Sequence, residues 1–182
     1  MRVKKSLVLL LTFSIMIAIF TGCSDKKGSL DGKWAYIHDK EAAALTIDNG
    51  KAVLDGTGYK CSYDDSFITL TNSDTETRKL RYLIAEDYLV LYKQTDYTYT
   101  GEGAPTGIVG LWEDTADNWS YEFTEEGNFV EDGFFSGTYK ENPSEQTITL
   151  DYNEDFQDTV IYYSISGDQI TIEYPWKMVK IK

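Results

Sequence analysis

The sequence predicts an all-β, antiparallel protein made of two homologous halves, preceded by an N-terminal targeting segment. Three observations predict the body. Aromatic residues make up 14% of the chain, with 14 Tyr, 8 Phe and 4 Trp, a composition suited to half-buried pleated surfaces. Short stretches of alternating apolar and polar residues recur between turns rich in Gly and Asp. A set of short matches also repeats in a single order along the chain.

Before the repeats, Arg2, Lys4 and Lys5 precede an apolar run from Leu7 to Phe20. As a helix, a run of that length spans roughly 21 Å, short of the ~30 Å of bilayer hydrocarbon. Residues 1–22 therefore read as a signal peptide. The run ends in "FTGC", which resembles the bacterial lipobox: an aliphatic residue, two small ones and a cysteine. Phe20 departs from the usual leucine, whereas Thr21, Gly22 and Cys23 fit. The resemblance implies a mature chain that starts at a diacylated Cys23, with two acyl chains giving stable anchoring. An ordinary signal peptide with an incidental Cys23 is the alternative. Residues 23–29 form a short polar tether. Cys61 is the one other cysteine; in "GYKCSY" it reads as an inert thiol in a strand.

The first repeat is expected over residues 30–100. Gly32-Lys33-Trp34 returns as Gly110-Leu111-Trp112, and "DNG" ending at Gly50 returns as "EEG" ending at Gly127. "TGYK" is echoed by "SGTYK", which sets Tyr59 opposite Tyr139, and Ile68 to Leu70 matches Ile148 to Leu150. Asp87 and Leu89 correspond to Asp168 and Ile170. "FITLTN", "KLRYLI" and "YLVLYK" read as strands. "DKEAAALTI" has some helical character, but its alignment with "NWSYEFT" favours a strand. Residues 101–107, within "TGEGAPTG", carry the Gly and Pro of a linker.

The second repeat is expected over residues 108–182. In "TITLDY", Ile148, Leu150 and Tyr152 share one face. "TVIYYSIS" and "QITIEY" follow, joined by a hairpin at Gly167-Asp168. About six strands are expected per half, and two small barrel-like units are favoured over one twelve-stranded sheet, because the linker lies between complete copies of the pattern. Trp34 and Trp112 are equivalent core anchors, with stacking on a ligand as the functional alternative.

The halves resemble the small lipocalin-like repeats of lipoproteins in Gram-positive bacteria. The second half carries the pattern as Gly110-Leu111-Trp112, Phe123 to Gly127, Gly137-Thr138-Tyr139 and "SISGDQITI". The first half is more divergent, with Leu45 where Phe123 stands. The resemblance implies a barrel or half-barrel meander and no particular activity. It also implies a late basic residue packed on the opening tryptophan, for which Arg81 and Lys180 are the candidates.

Several chemistries lack their residues. His38 is the sole histidine, so a Ser-His-Asp or Cys-His site would have to pass through it, and its "YIHDKE" setting reads as a solvated loop. One His and one free Cys do not make a zinc site. "DYNED", residues 151–155, lacks the Gly and the final Glu of a calcium loop. No cofactor is expected. A formal charge of −13 argues against a nucleic-acid partner. The charge is uneven: residues 24–103 hold 10 basic and 14 acidic side chains, residues 104–182 hold 4 and 16. The acidic half serves solubility beside an anionic envelope, or forms a face for a basic partner.

The expected function is therefore that of a membrane-anchored, extracytoplasmic binding module rather than an enzyme. It would meet a protein, peptide or envelope glycan through strand edges and exposed aromatics, with Trp119, Trp176, Tyr97 and Tyr99 as contacts. The alternatives are a carrier of a small apolar ligand and an envelope hydrolase. An apolar cavity of several hundred Å³ would favour the carrier, and a filled core with an aromatic surface patch the interaction module.

Overall fold

The computed structural model describes residues 29–72, 76–114, 116–153 and 156–182. The expected signal peptide, Cys23 and most of the expected tether lie outside them, as do Glu154 and Asp155 of "DYNED". Among the described residues there are fourteen β-strands and no helix. The first half contributes β1 (Gly32–Tyr36), β2 (Leu45–Asp48), β3 (Lys51–Leu54), β4 (Thr57–Tyr63), β5 (Phe67–Thr71), β6 (Thr77–Ala85) and β7 (Tyr88–Tyr99). The second contributes β8 (Gly110–Asp114), β9 (Trp119–Phe123), β10 (Asn128–Glu131), β11 (Phe135–Asn142), β12 (Thr147–Asp151), β13 (Thr159–Ser166) and β14 (Gln169–Ile181). Of the segment "DKEAAALTI", with its uncertain helical character, Leu45 to Ile47 lie in strand β2, and residues 40–44 are irregular.

Two-residue turns join several of the strands. Asn49 and Gly50 link β2 to β3, and Asp55 and Gly56 link β3 to β4, all four with positive φ, as type I′ hairpins require. Each strand pairs antiparallel with its sequence neighbours, and β1 pairs with β14, so the sheet closes into a ring. Among the described residues no strand is left at an edge, so no strand edge is exposed there for the docking expected from the sequence.

The structure differs from the expected pair of separate six-stranded units. Each half has seven strands, and the last strand of each is long: 12 residues in β7 and 13 in β14. These two strands pair with each other from Gln169↔Thr98 to Val179↔Tyr88. That pairing crosses the ring and divides it into two closed circuits of eight strands. The end of β14 completes the first circuit by pairing with β1, and the end of β7 completes the second by pairing with β8. The halves exchange their closing strands. The register is symmetric about the Lys93↔Tyr174 pair, because an 81-residue shift maps Lys93 onto Tyr174 and Tyr99 onto Lys180. Pro175 falls where β14 has left β13 and has not yet met β1; bonded on one side only, this stretch tolerates a residue without an N–H.

Two apolar cores follow. One is built on Trp34, Leu45, Ile47, Leu54, Ile68, Leu70, Leu89 and Leu91, and takes Met178 from β14. The other is built on Trp112, Tyr121, Phe123, Phe129, Ile148, Leu150 and Ile170, and takes Tyr97 from β7. Ile148, Leu150 and Tyr152 are all buried, as their alternation implies.

The pairings also correct two of the sequence matches. Trp34 faces Leu45 and Gly32 faces Ile47, whereas Trp112 faces Tyr121 and Gly110 faces Phe123. Ile47, not Leu45, is therefore the counterpart of Phe123. The N–H of Cys61 donates to the Gly50 carbonyl, and that of Tyr139 donates to the Gly127 carbonyl, both at 2.8 Å. Cys61, not Tyr59, is therefore the counterpart of Tyr139. Tyr59 corresponds to Gly137, and the pair Ala52↔Tyr59 becomes Phe129↔Gly137. The large residue has changed strands while the volume of the pair is roughly kept. A Cβ on Gly137 would lie 1.9 Å from the Asp151 carbonyl oxygen and 3.0 Å from the Phe129 ring.

Candidate ligand-binding groove

Trp34 and Trp112 are core anchors in the same geometry. Both are fully buried, and each indole N–H donates to the carbonyl four residues earlier, Leu30 at 2.8 Å and Ile108 at 2.7 Å. Each is covered by a side chain from the other half's last strand. The Lys180 ammonium lies 5.1 Å from the Trp34 ring centre and donates to the Ser29 carbonyl at 2.9 Å. Tyr99 meets Trp112 edge-on at 5.2 Å. The closeness of the covers explains Gly32 and Gly110, whose φ of 132° and 129° suits glycine and whose Cβ positions run into Lys180 and Tyr99. Arg81 does not cover a tryptophan. It stacks on Tyr162 at 3.9 Å and pairs with Glu173 at 3.1 Å.

Of the four expected contact residues, Trp119, Trp176 and Tyr97 are brought together and Tyr99 is not. Trp119 opens β9, at the end of the second circuit where β10 finishes and β11 begins. Trp176 sits on β14 at the crossing. Both line a groove of about 410 Å³ with Glu131, Asp132, Phe135, Tyr152, Phe156, Gln157, Thr159 and Tyr174. An adjoining hollow of about 290 Å³ continues over the crossing past Lys93, Tyr97, Asp114 and Asp117. Tyr97 is buried beneath this floor. Trp119 is 43% exposed and Phe156 57%, so the walls face solvent.

The groove floor holds a buried carboxylate. Glu131 is 9% exposed, and its two oxygens accept hydrogen bonds from the Tyr121 hydroxyl at 2.5 Å and the Tyr152 hydroxyl at 2.6 Å. Burial first, and then the Glu131 charge, push the Tyr121 phenol well above its ordinary value. Burial and the hydrogen bond to Glu131 do the same at Tyr152, and burial with the Glu131 charge raises Tyr174. The phenols thus stay protonated and donate, leaving the floor rich in acceptor lone pairs. Asp132 beside it accepts from the Ser120 N–H at 2.8 Å.

Across the crossing, Lys93 supplies a positive charge. Its ammonium donates to Asp55 at 2.8 Å and to the Tyr36 hydroxyl at 3.1 Å, and lies 4.8 Å from the Trp176 ring centre. Burial opposes that charge, but the hydrogen bonds to Asp55 and Tyr36 outweigh it and hold the ammonium above its ordinary range. His38 is exposed in a turn and stacks flat on Tyr36 at 5.5 Å. Cys61 is half-buried, and burial with the Asp31 charge pushes its thiol up, which disfavours the reactive thiolate.

Sequence reasoning missed Glu131 and its two tyrosines. The signal was present: "VLDG", residues 53–56, matches "VEDG", residues 130–133, and the single mismatch puts a carboxylate where the first half buries Leu54. Comparison with protein-family models, with curated proteins and with solved structures finds no match for this chain.

Proposed function

We propose that the protein is a binding module held at the outer face of a membrane by lipidated Cys23, and that it is not an enzyme. The body is read as two lipocalin-like repeats that have exchanged their closing strands. The Lys180 ammonium over Trp34 supports that reading, because a basic residue on the opening tryptophan is what the resemblance implied. The observation that carries the binding function is the convergence of Trp119 and Trp176 on one solvent-open aromatic groove, while both sheet interiors are filled with buried side chains. Filled interiors favour a surface-binding module over a carrier with an enclosed apolar calyx.

Two experiments test it. Cys23→Ala should move the protein from the membrane fraction to the soluble fraction; unchanged retention would refute the lipid anchor. Full-length protein in detergent, incubated with envelope extract, should retain a defined lipid, glycan or protein that Trp119→Ala/Trp176→Ala fails to retain. Equal capture by the double variant removes the groove from the function.

A further inference from the structure

The symmetry of the crossing places two equivalent sites beside each other, and one of them lacks a charge that the other has. In the first half, the Lys93 ammonium bridges Asp55 and Tyr36 and packs on the Trp176 ring. Lys93 corresponds to Tyr174 in the central register, and the matching strand pairs Leu45↔Leu54 and Tyr121↔Glu131 set Asp55, in its "VLDG" turn, in correspondence with Asp132 in "VEDG". The second half thus keeps the aspartate and has no lysine to meet it. It also adds a second carboxylate, since Leu54 is replaced by Glu131. Among the described residues, neither Glu131 nor Asp132 forms a salt bridge. The walls above them are aromatic, with Trp119, Trp176 and Phe135 around about 410 Å³ of open space.

We infer that this groove binds an organic ammonium ion, which takes the place that Lys93's own ammonium holds in the other half. The inference rests on the binding-module reading and names its ligand class. Aromatic faces attract a partly desolvated cation. The protein's own Lys93 on Trp176 shows an ammonium accepted by one of these rings. The carboxylates supply the opposite charge, and the tyrosine hydroxyls, already donating to Glu131, offer the ligand lone pairs. A neutral sugar would find the same walls but would not meet the unpaired charge. The ammonium has two sources, a free amine or a lysine side chain of a peptide, and the test separates them.

The test titrates full-length protein in detergent with choline, with its neutral isostere 3,3-dimethylbutan-1-ol, and with N-acetyl-lysine methylamide, reading tryptophan fluorescence. One or both cations should bind about tenfold or more tightly than the isostere, and the tighter of them identifies the source. Glu131→Gln, which keeps an oxygen for the tyrosine donors, and the exposed Asp132→Asn should each erase most of that preference. Tyr174→Lys should abolish cation binding by filling the place with a tethered ammonium. A result in which neither cation binds more tightly than the isostere overturns the inference and leaves the binding module standing. So does the absence of any cation binding in a protein whose envelope capture still depends on Trp119 and Trp176. Loss of both that dependence and cation binding overturns the two together.

Discussion

Leu45 and Leu54 face each other across β2 and β3, and the same two positions in the second half carry Tyr121 and Glu131. The backbone around them is the same, with an opening Gly-x-Trp and a turn of positive φ after Leu54 and after Glu131. In the first half the pair completes an apolar core. In the second it forms a hydrogen-bonded carboxylate beneath an aromatic groove. The first half is thus apolar at this place, and the second is polar. A repeat fixes where a side chain sits, and substitution at that place decides what it does.

The comparison can be broken at several points. The largest effect is expected at the two shared anchors: Trp34→Ala and Trp112→Ala should each destabilise the protein by about 3–5 kcal/mol. Because β7 and β14 belong to both circuits, either variant should melt in a single transition, read by coincident fluorescence and circular dichroism on chemical denaturation. Two separated transitions would show that the halves are energetically independent. Next comes Gly137→Ala, whose new methyl meets the Asp151 carbonyl; a loss of about 3 kcal/mol is expected, at the upper end for overpacking. Tyr59→Ala, at the matching position, is half-buried and introduces no clash, so it should cost clearly less.

The third effect sharpens the polar difference. Tyr121→Phe should cost about 1.5–3 kcal/mol, the range for a hydrogen bond to a charged group, whereas Leu45→Met in the first half should stay under about 1.5 kcal/mol. A double-mutant cycle of Tyr121→Phe with Glu131→Gln should return a coupling of about 0.5–3 kcal/mol; a coupling near zero would detach the tyrosine from the carboxylate. The smallest effect is the pH slope. Tyr121 is raised in the folded protein, so its stabilisation is complete below the unfolded value near 10 and is lost as pH rises through the higher folded value. Above pH ~10 this phenol adds at most about 1.4 kcal/mol per pH unit to the fall in stability, and Tyr121→Phe should flatten the slope by that amount.

Much of the sheet was legible from alternation and turn residues. "TVIYYSIS" coincides with β13, and the Gly167-Asp168 hairpin and the strand at the end of "DKEAAALTI" follow from the same signals. The exchange of closing strands was not legible, because a period of two tells which face a residue occupies and not which strand lies beside it. "YLVLYK" and "QITIEY" were seen as short strands because the alternation blurs at Lys93-Gln94-Thr95 and at Pro175, where the strands pass from one core to the other. The tyrosine match failed because size moved across a strand pair: Ala52 and Tyr59 against Phe129 and Gly137. Trp119, Trp176, Tyr97 and Tyr99 stand out by falling outside the matched positions; the first three line one groove or the adjoining hollow, and Tyr99 covers Trp112 instead. Glu131 was overlooked because among so many acidic residues one more carries no signal; only its alignment with a buried leucine marks it.

The closing contact of the first circuit has a kinetic consequence. Lys180 reaches Ser29 across 151 positions of chain, and β1 has no partner on its outer side until β14 has been synthesised. Sequence-distant pairing of this kind slows folding. Until that distant strand arrives, the amino-terminal half lacks the latch on β1, and its resistance to protease is expected only after the ring has closed.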